Sequence, residues 1–147
     1  MRIPASLELD VQAPAPASAL SPVAVRVALA LGCLAAVALG LEVGDPRAFQ
    51  AADPDLARLL RGMAVLKALL VLPAVAAVWW RAGHPLSRKL AAVYVAGAWA
   101  MTGASVLIWQ LTSLALAALA FHGAGLAMLV AAFGDGRERL RFRRPGP

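Results

Sequence analysis

Four long apolar runs, joined by short polar connectors, make up most of the chain. A helix that crosses the hydrocarbon core of a bilayer needs roughly 20 apolar residues, and each run has about that length. The runs are continuously apolar and hold few charges, as is typical of membrane-spanning helices. The pattern therefore predicts an all-α protein, a four-helix transmembrane bundle, with spans at residues 23–41, 56–80, 88–109 and 113–133.

The first run also has features of a secretory signal peptide, because Ala36-Val37-Ala38 is similar to a small-residue cleavage site. The polar region before the run is long and weakly basic, whereas a signal peptide begins with a short, positively charged segment. We therefore expect four spans, with cleavage after the first span as the alternative.

Aspartate–proline pairs indicate where helices begin in the first connector. An aspartate side chain can cap free N–H groups, and proline suits the first helical turn. Asp45-Pro46 predicts a short interfacial helix at residues 46–52, and Asp53-Pro54 predicts the start of the second span.

Polar tails are predicted on both sides of a membrane domain at residues 22–134. Residues 1–21, rich in proline, alanine and serine, lack apolar periodicity and predict a flexible tail. Residues 135–147 form a basic tail, and each arginine near anionic lipid contributes roughly 1 kcal/mol of attraction. The arginines expected to bind anionic lipids are Arg137, Arg139, Arg141, Arg143 and Arg144.

Composition and charge agree with a membrane protein. The chain is 61% hydrophobic with a mean hydropathy of +0.74, while soluble domains are nearer half apolar. Its net charge of +6 comes from basic residues that flank the apolar runs, so lipid contact and orientation explain it better than nucleic acid does. The richness in alanine, leucine, valine, glycine and arginine favours a bacterial source.

Lysine and arginine in short loops orient a membrane protein, since they stay in the cytoplasm. The connector at residues 81–89 and the C-terminal tail are basic, whereas the connector at residues 42–55 is mostly acidic. We therefore expect both termini in the cytoplasm (N-in, C-in) of a multi-pass protein of the bacterial inner membrane.

Lys67 lies inside the second span, where a charge costs roughly 2.5–3.5 kcal/mol at the bilayer centre. Three roles justify that cost: binding an anionic group, relaying a proton, or pairing with an acid on another protein. The alternative is snorkelling, because Lys67 lies six residues beyond Arg61, about 9 Å at helical rise, within near reach of the headgroups.

His122 lies midway along the fourth span on a stripe of small residues, so we expect it to point inward. It can ligate haem, bind a metal or pass protons; the alternative is a neutral histidine hydrogen-bonded to Ser, Thr or a carbonyl. The other histidine, His84, lies in a connector at a different depth. Haem would therefore need its second ligand from a partner chain or a second copy.

Two further groups of side chains are candidates. Trp99 and Thr102 share one face of the third span, where they can line a site for a flat ligand such as a quinone or be ordinary packing residues. Thr102 also has a suitable depth to hydrogen-bond His122. Glu42 and Arg61, at the outer ends of adjacent spans, predict an interfacial ion pair.

Motifs for a reaction are absent from the sequence: it has no phosphate-binding loop, metal-ligand cluster, catalytic triad or paired carboxylates within spans. We expect a non-catalytic accessory subunit or assembly factor of a larger inner-membrane complex, with other membrane subunits or a second copy as partners. The alternatives are a small proton-coupled transporter that uses Lys67 and His122, and a haem- or quinone-associated redox protein that uses His122.

Overall fold

A computed structural model describes the backbone of residues 20–44, 53–84 and 86–142, with side chains as far as Gly136. Within these residues the chain forms four α-helices, each with a stretch long and apolar enough to cross a membrane. The predicted all-helical fold of four apolar helices is confirmed, and the predicted short helix at 46–52 lies outside the described residues. The helices are α1 (Pro22–Glu42), α2 (Pro54–Arg81), α3 (Arg88–Trp109) and α4 (Leu114–Phe142).

Side-chain caps set the starts of three helices. The Asp53 carboxylate accepts hydrogen bonds from the N–H groups of Asp55 and Leu56 at 2.9 and 3.1 Å, which confirms the predicted start of α2. The hydroxyls of Ser21 and Ser87 cap α1 and α3 in the same way. Each cap satisfies N–H groups that have no partner within the helix.

The centre of the fold is α3, because each of the other helices packs against it and they contact one another little. Half of its spanning segment (50%) is buried, against 17% for each of the other three. It is also the least apolar of the four, with a hydropathy of 1.6 against 2.0 to 2.2. A helix shielded from lipid by neighbours can carry more small and polar residues, as α3 does.

Small residues let α1 approach α3 closely. The indole of Trp99 covers Gly32, where an added Cβ would overlap the ring. Gly40 faces Val106 in the same way, and Ala36 lies between the two glycines along the same stripe. This close approach agrees with the preference for small residues where membrane helices pack.

The turn between α3 and α4 is tight and contains left-handed backbone. Leu111 has φ 57° and Ser113 has φ 49°. The N–H of Thr112 donates to the carbonyl of Leu107, and that of Leu111 to the carbonyl of Ile108, both at 3.0 Å. This is the Schellman arrangement, which usually places glycine where Leu111 stands.

The buried face of α4 differs from the predicted one. The stripe that contains His122 was expected to point inward, but His122 is exposed, and the neighbouring Phe121 is buried at 6% exposure. Adjacent residues of a helix point about 100° apart, so the helix is rotated by that amount from the expected orientation. The reason is area, since a phenylalanine buries far more apolar surface than the alanines and glycines of the expected stripe.

The end of α4 also differs from the expected one. The last span was expected to end at residue 133, with a tail from residue 135, but the helix continues to Phe142. Asp135, within that segment, is bound by Arg81 of α2. This tertiary contact stabilises helix where local sequence favours a stop.

Candidate functional site

The structure brings together Lys67 and His122, which were selected separately and lie 55 residues apart. The Nζ of Lys67, on α2, is 3.5 Å from Nε2 of His122, on α4. The two helices pack on α3 rather than on each other, so these side chains meet across the gap between them. Lys67 is half-buried and His122 is exposed, which places the pair at the edge of the bundle.

The proton on His122 can be assigned from its partners. Its Nδ1 lies 2.7 Å from the carbonyl oxygen of Ala118, and because a carbonyl only accepts, Nδ1 carries the hydrogen. A neutral imidazole then has an acceptor at Nε2, the atom that faces Lys67. In that tautomer Nε2 can accept a hydrogen bond from the Lys67 amine, 3.5 Å away.

Phe121 supplies the second contact of Lys67. The ammonium nitrogen is 4.2 Å from the centroid of the Phe121 ring, a cation–π distance that contributes roughly 2 kcal/mol when desolvated. The ring of Phe121 also packs edge-to-face on His122, with centroids 5.6 Å apart. We call Lys67, Phe121 and His122 the anion site, because the positive charge of Lys67 has no carboxylate partner among the described residues.

The charge of Lys67 is not neutralised within the described part of the chain. The ion pairs among those residues join Arg58 to Asp55 and Arg81 to Asp135, and neither includes Lys67. Its two contacts there are the His122 imidazole and the Phe121 ring, and neither group can carry a negative charge that would balance the lysine. In a medium of low dielectric constant an uncompensated cation attracts an anion strongly, so this arrangement is suited to bind one.

A groove of about 640 Å³ lies in the gap between α2 and α4, with α3 as its floor. This volume is typical of small-molecule sites. The groove begins at Leu70 and Gly125, one helical turn beyond Lys67 and His122. Its walls are mostly apolar, and its floor includes Tyr94 and Met101.

An ion pair lines the other end of the groove. Nε and Nη2 of Arg81 donate to the two carboxylate oxygens of Asp135 at 2.7 and 2.9 Å, the forked geometry of a strong pair. The side chains are only 12% and 15% exposed. This pair was missed in the sequence, although an acid and an arginine at the same predicted end of two spans were the available signal.

Trp99 and Thr102 lie on the opposite side of α3, away from the anion site. Thr102 Oγ1 donates to the carbonyl of Ala98 at 2.8 Å and lies 3.7 Å from Cys33 Sγ on α1. Trp99 packs on Gly32. The structure therefore does not join these two residues to Lys67 and His122; it uses them where α1 meets α3.

The arginines near the helix ends contact aromatic rings. The guanidinium carbon of Arg61 lies 5.4 Å from the ring centroid of Trp109, at the α3 end. Arg26 lies 5.5 Å from the Trp79 ring and donates to the Trp79 carbonyl at 3.3 Å, which ties α1 to the end of α2.

Glu42 is exposed at the end of α1, and its pairing with Arg61 stays a prediction. The predicted lipid-binding arginines of the tail have side chains beyond the described part.

Comparison of the chain with protein-family models, with curated proteins and with solved structures finds no match. The chemistry of the site is therefore inferred from its own residues. His122 Nε2, the nitrogen through which this histidine would ligate a haem iron, faces the Lys67 amine in this structure.

Proposed function

We propose that this protein is a non-catalytic accessory protein of the bacterial inner membrane, and that it binds an anionic group at Lys67 and His122. One observation carries the proposal: the Lys67 ammonium, at the edge of an apolar bundle, contacts an imidazole and a phenyl ring and has no carboxylate partner among the described residues. A buried or half-buried charge is costly unless a counter-charge accompanies it. A bound anion supplies that counter-charge.

The depth of the site supports a ligand that enters from the membrane. Lys67 follows Arg61 by six residues on α2, which is about 9 Å along the helix. The basic connector at residues 81–89 and the acidic one at 42–55 favour the N-in, C-in orientation. In that orientation the site faces the outer half of the bilayer.

The residues of the site have separate roles in this proposal. Lys67 supplies the positive charge, and Phe121 holds the ammonium near the gap. His122 orients the ammonium through Nε2, and after taking up a proton it offers a second donor to the anion. No chemical step is assigned to any of them. Anionic lipids at the basic tail, and other membrane subunits or a second copy, remain the expected partners.

The test is a comparison of what the protein retains on gentle extraction. Tagged wild type and Lys67→Met are purified from native membranes in mild detergent, and bound small molecules and proteins are identified by mass spectrometry. The control is Arg58→Met, which removes a cation from an exposed site on the same helix. We expect an anionic molecule in the wild type and the control, reduced at least tenfold in Lys67→Met. Equal amounts in all three would refute the proposal.

The second candidate function is proton-coupled transport, which the 3.5 Å contact between amine and imidazole favours. Two bases this close can share one proton and pass it between Nζ and Nε2. Proteoliposomes with a pH gradient across the membrane test this idea. Gradient-dependent uptake that His122→Gln abolishes, while ligand binding persists, supports transport. Uptake that ignores the gradient contradicts it.

A further inference from the structure

We infer that the ligand is a single-chain anionic amphipath, such as a long-chain carboxylic acid, whose head binds at the anion site and whose tail lies in the groove between α2 and α4. The head assignment rests on the proposed function above. The place of the tail, its number of chains and its maximum length come from separate features of the groove.

Continuity links the head site to the groove. Leu70 and Gly125 line the start of the groove, and each lies three residues, less than one helical turn, beyond Lys67 or His122 on the same helix. The apolar wall thus begins within one helical turn of Lys67 and His122 on the two helices that carry them. A molecule that satisfies both must have a charged end and an apolar remainder.

The length of the groove matches one alkyl chain. Arg81 follows Lys67 by 14 residues, which is about 21 Å along α2. Carbon–carbon bonds of about 1.5 Å at tetrahedral angles advance roughly 1.25 Å per carbon. A chain of about 16 carbons therefore reaches from Lys67 to Arg81. About 13 of these carbons lie in the groove itself, which begins at Leu70 and is lined by Arg81 and Asp135 at its other end.

Side-chain bridges at both ends limit the width of the groove. Lys67 and His122 join the helices at one end, and Arg81 and Asp135 join them at the other. Between two such bridges the gap fits one chain better than two.

The depth of the site favours a small head group. Lys67 lies about 9 Å along the helix from Arg61, which we take as the membrane boundary. A bilayer phospholipid places its phosphate less deeply, so a small carboxylate head is favoured.

Trp80 gives a direct readout, since it lines the groove near the end lined by Arg81 and Asp135. The protein in nanodiscs is titrated with a 16-carbon acid brominated near its methyl end or near its carboxyl end, and tryptophan fluorescence is recorded. The difference between wild type and Trp80→Phe isolates the Trp80 signal. We expect the methyl-end bromine to quench Trp80 and the carboxyl-end bromine to leave it unchanged. The corresponding alcohol should bind at least tenfold more weakly, because it lacks the charge.

Two glycines of α4 form a matched pair for the groove. Gly125 lines it, with Met101 as its nearest neighbour at 3.9 Å from an added Cβ. Gly123 has nothing within 4 Å of an added Cβ and does not line the groove. Gly125→Leu should weaken binding of the 16-carbon acid at least tenfold, and Gly123→Leu should leave it unchanged. Ala77→Leu fills the groove from α2 and serves if Gly125→Leu does not fold.

The outcomes separate the two proposals. If Lys67→Met weakens binding while groove filling and Trp80 quenching show no effect, the anion site stands and the inference about the tail is overturned. If groove filling, Trp80 quenching and Lys67→Met all show no effect on binding of the acid, both the inference about the tail and the proposed function fail. If Lys67→Met and Gly125→Leu both lose binding, and the methyl-end bromine quenches Trp80, the results support the proposed function and the inference about the tail.

Discussion

The two sides of α3 are built differently. Toward α1, contact is close: Trp99 lies on Gly32 and Val106 lies on Gly40, with no space for an added Cβ. Toward α2 and α4, the helices are joined by side-chain bridges at two levels, and a groove of about 640 Å³ separates them.

The difference shows how one helix can support both packing and binding. Small residues allow two helix backbones to approach closely. The side chains then fill the interface with dispersion contacts, and no space is left for a ligand. Long polar side chains that meet across a gap stabilise the pairing of helices without filling the space between them. The groove side is therefore where a ligand can enter, and the α1 side is closed to ligands by close packing.

The largest expected effect is loss of the bridge at the Arg81 end of the groove. Arg81→Ala leaves the Asp135 carboxylate without its forked donor at only 15% exposure, so we expect a loss of about 3–5 kcal/mol in the free energy of unfolding. Denaturation in mixed detergent measures it. Arg58→Ala, from an exposed pair, should change stability by no more than about 0.5 kcal/mol. Similar losses in both would contradict the assigned role of the bridge.

The close packing on the other side is tested by Gly32→Ala. The new methyl group overlaps the Trp99 indole, and overpacking of this kind destabilises by about 1–3 kcal/mol. The control is Gly62→Ala, at a helical glycine with nothing within 4 Å, which should be neutral or stabilising by up to about 1 kcal/mol. In a Trp99→Ala background the loss at Gly32 should shrink, because the two residues are coupled. An unchanged loss there would place the clash elsewhere.

On the groove side, the charge of Lys67 should lower the stability of the protein when no anion is bound. Lys67→Met removes an uncompensated cation and keeps an apolar stem beside Phe121, so we expect the ligand-free protein to gain about 1–2 kcal/mol, less than the full cost of a charge at the bilayer centre. The same variant should lose anion binding. Unfolding and ligand titration on one sample measure both. A destabilised Lys67→Met would mean that the lysine serves mainly to hold α2 and α4 together.

The smallest effect is expected at the turn between α3 and α4, which belongs to neither side. Leu111 has a left-handed φ of 57°, a conformation that costs an L-residue roughly 1–2 kcal/mol and glycine much less. Leu111→Gly should raise stability by about 0.5–1 kcal/mol and leave ligand binding unchanged. Thr112→Gly, at a position without positive φ, should lower it. If Leu111→Gly instead lowers stability, the packing of the leucine side chain stabilises the protein by more than its left-handed backbone conformation costs.

The structure corrects the sequence-based predictions in the rotation and extent of α4. His122 was expected on the inner face, and Phe121 occupies that face instead. Alanine is so frequent in all four helices that small-residue stripes occur on several faces by chance, and spacing alone does not choose between them. The bulk of Phe121 against α3 makes the choice, and the rotation that follows carries His122 toward Lys67.

Local properties of the chain determined the four apolar helices, the cap at Asp53 and the small-residue stripe on α1, because hydropathy, capping and residue size act within a helix or at its surface. Only the tertiary structure decided that Lys67 meets His122, that Arg81 binds Asp135, and that a groove lies between these pairs. The physical reason is that the angle of each helix about its own axis is set by its packing partners, and residues 55 or 54 positions apart acquire a common site only through those angles.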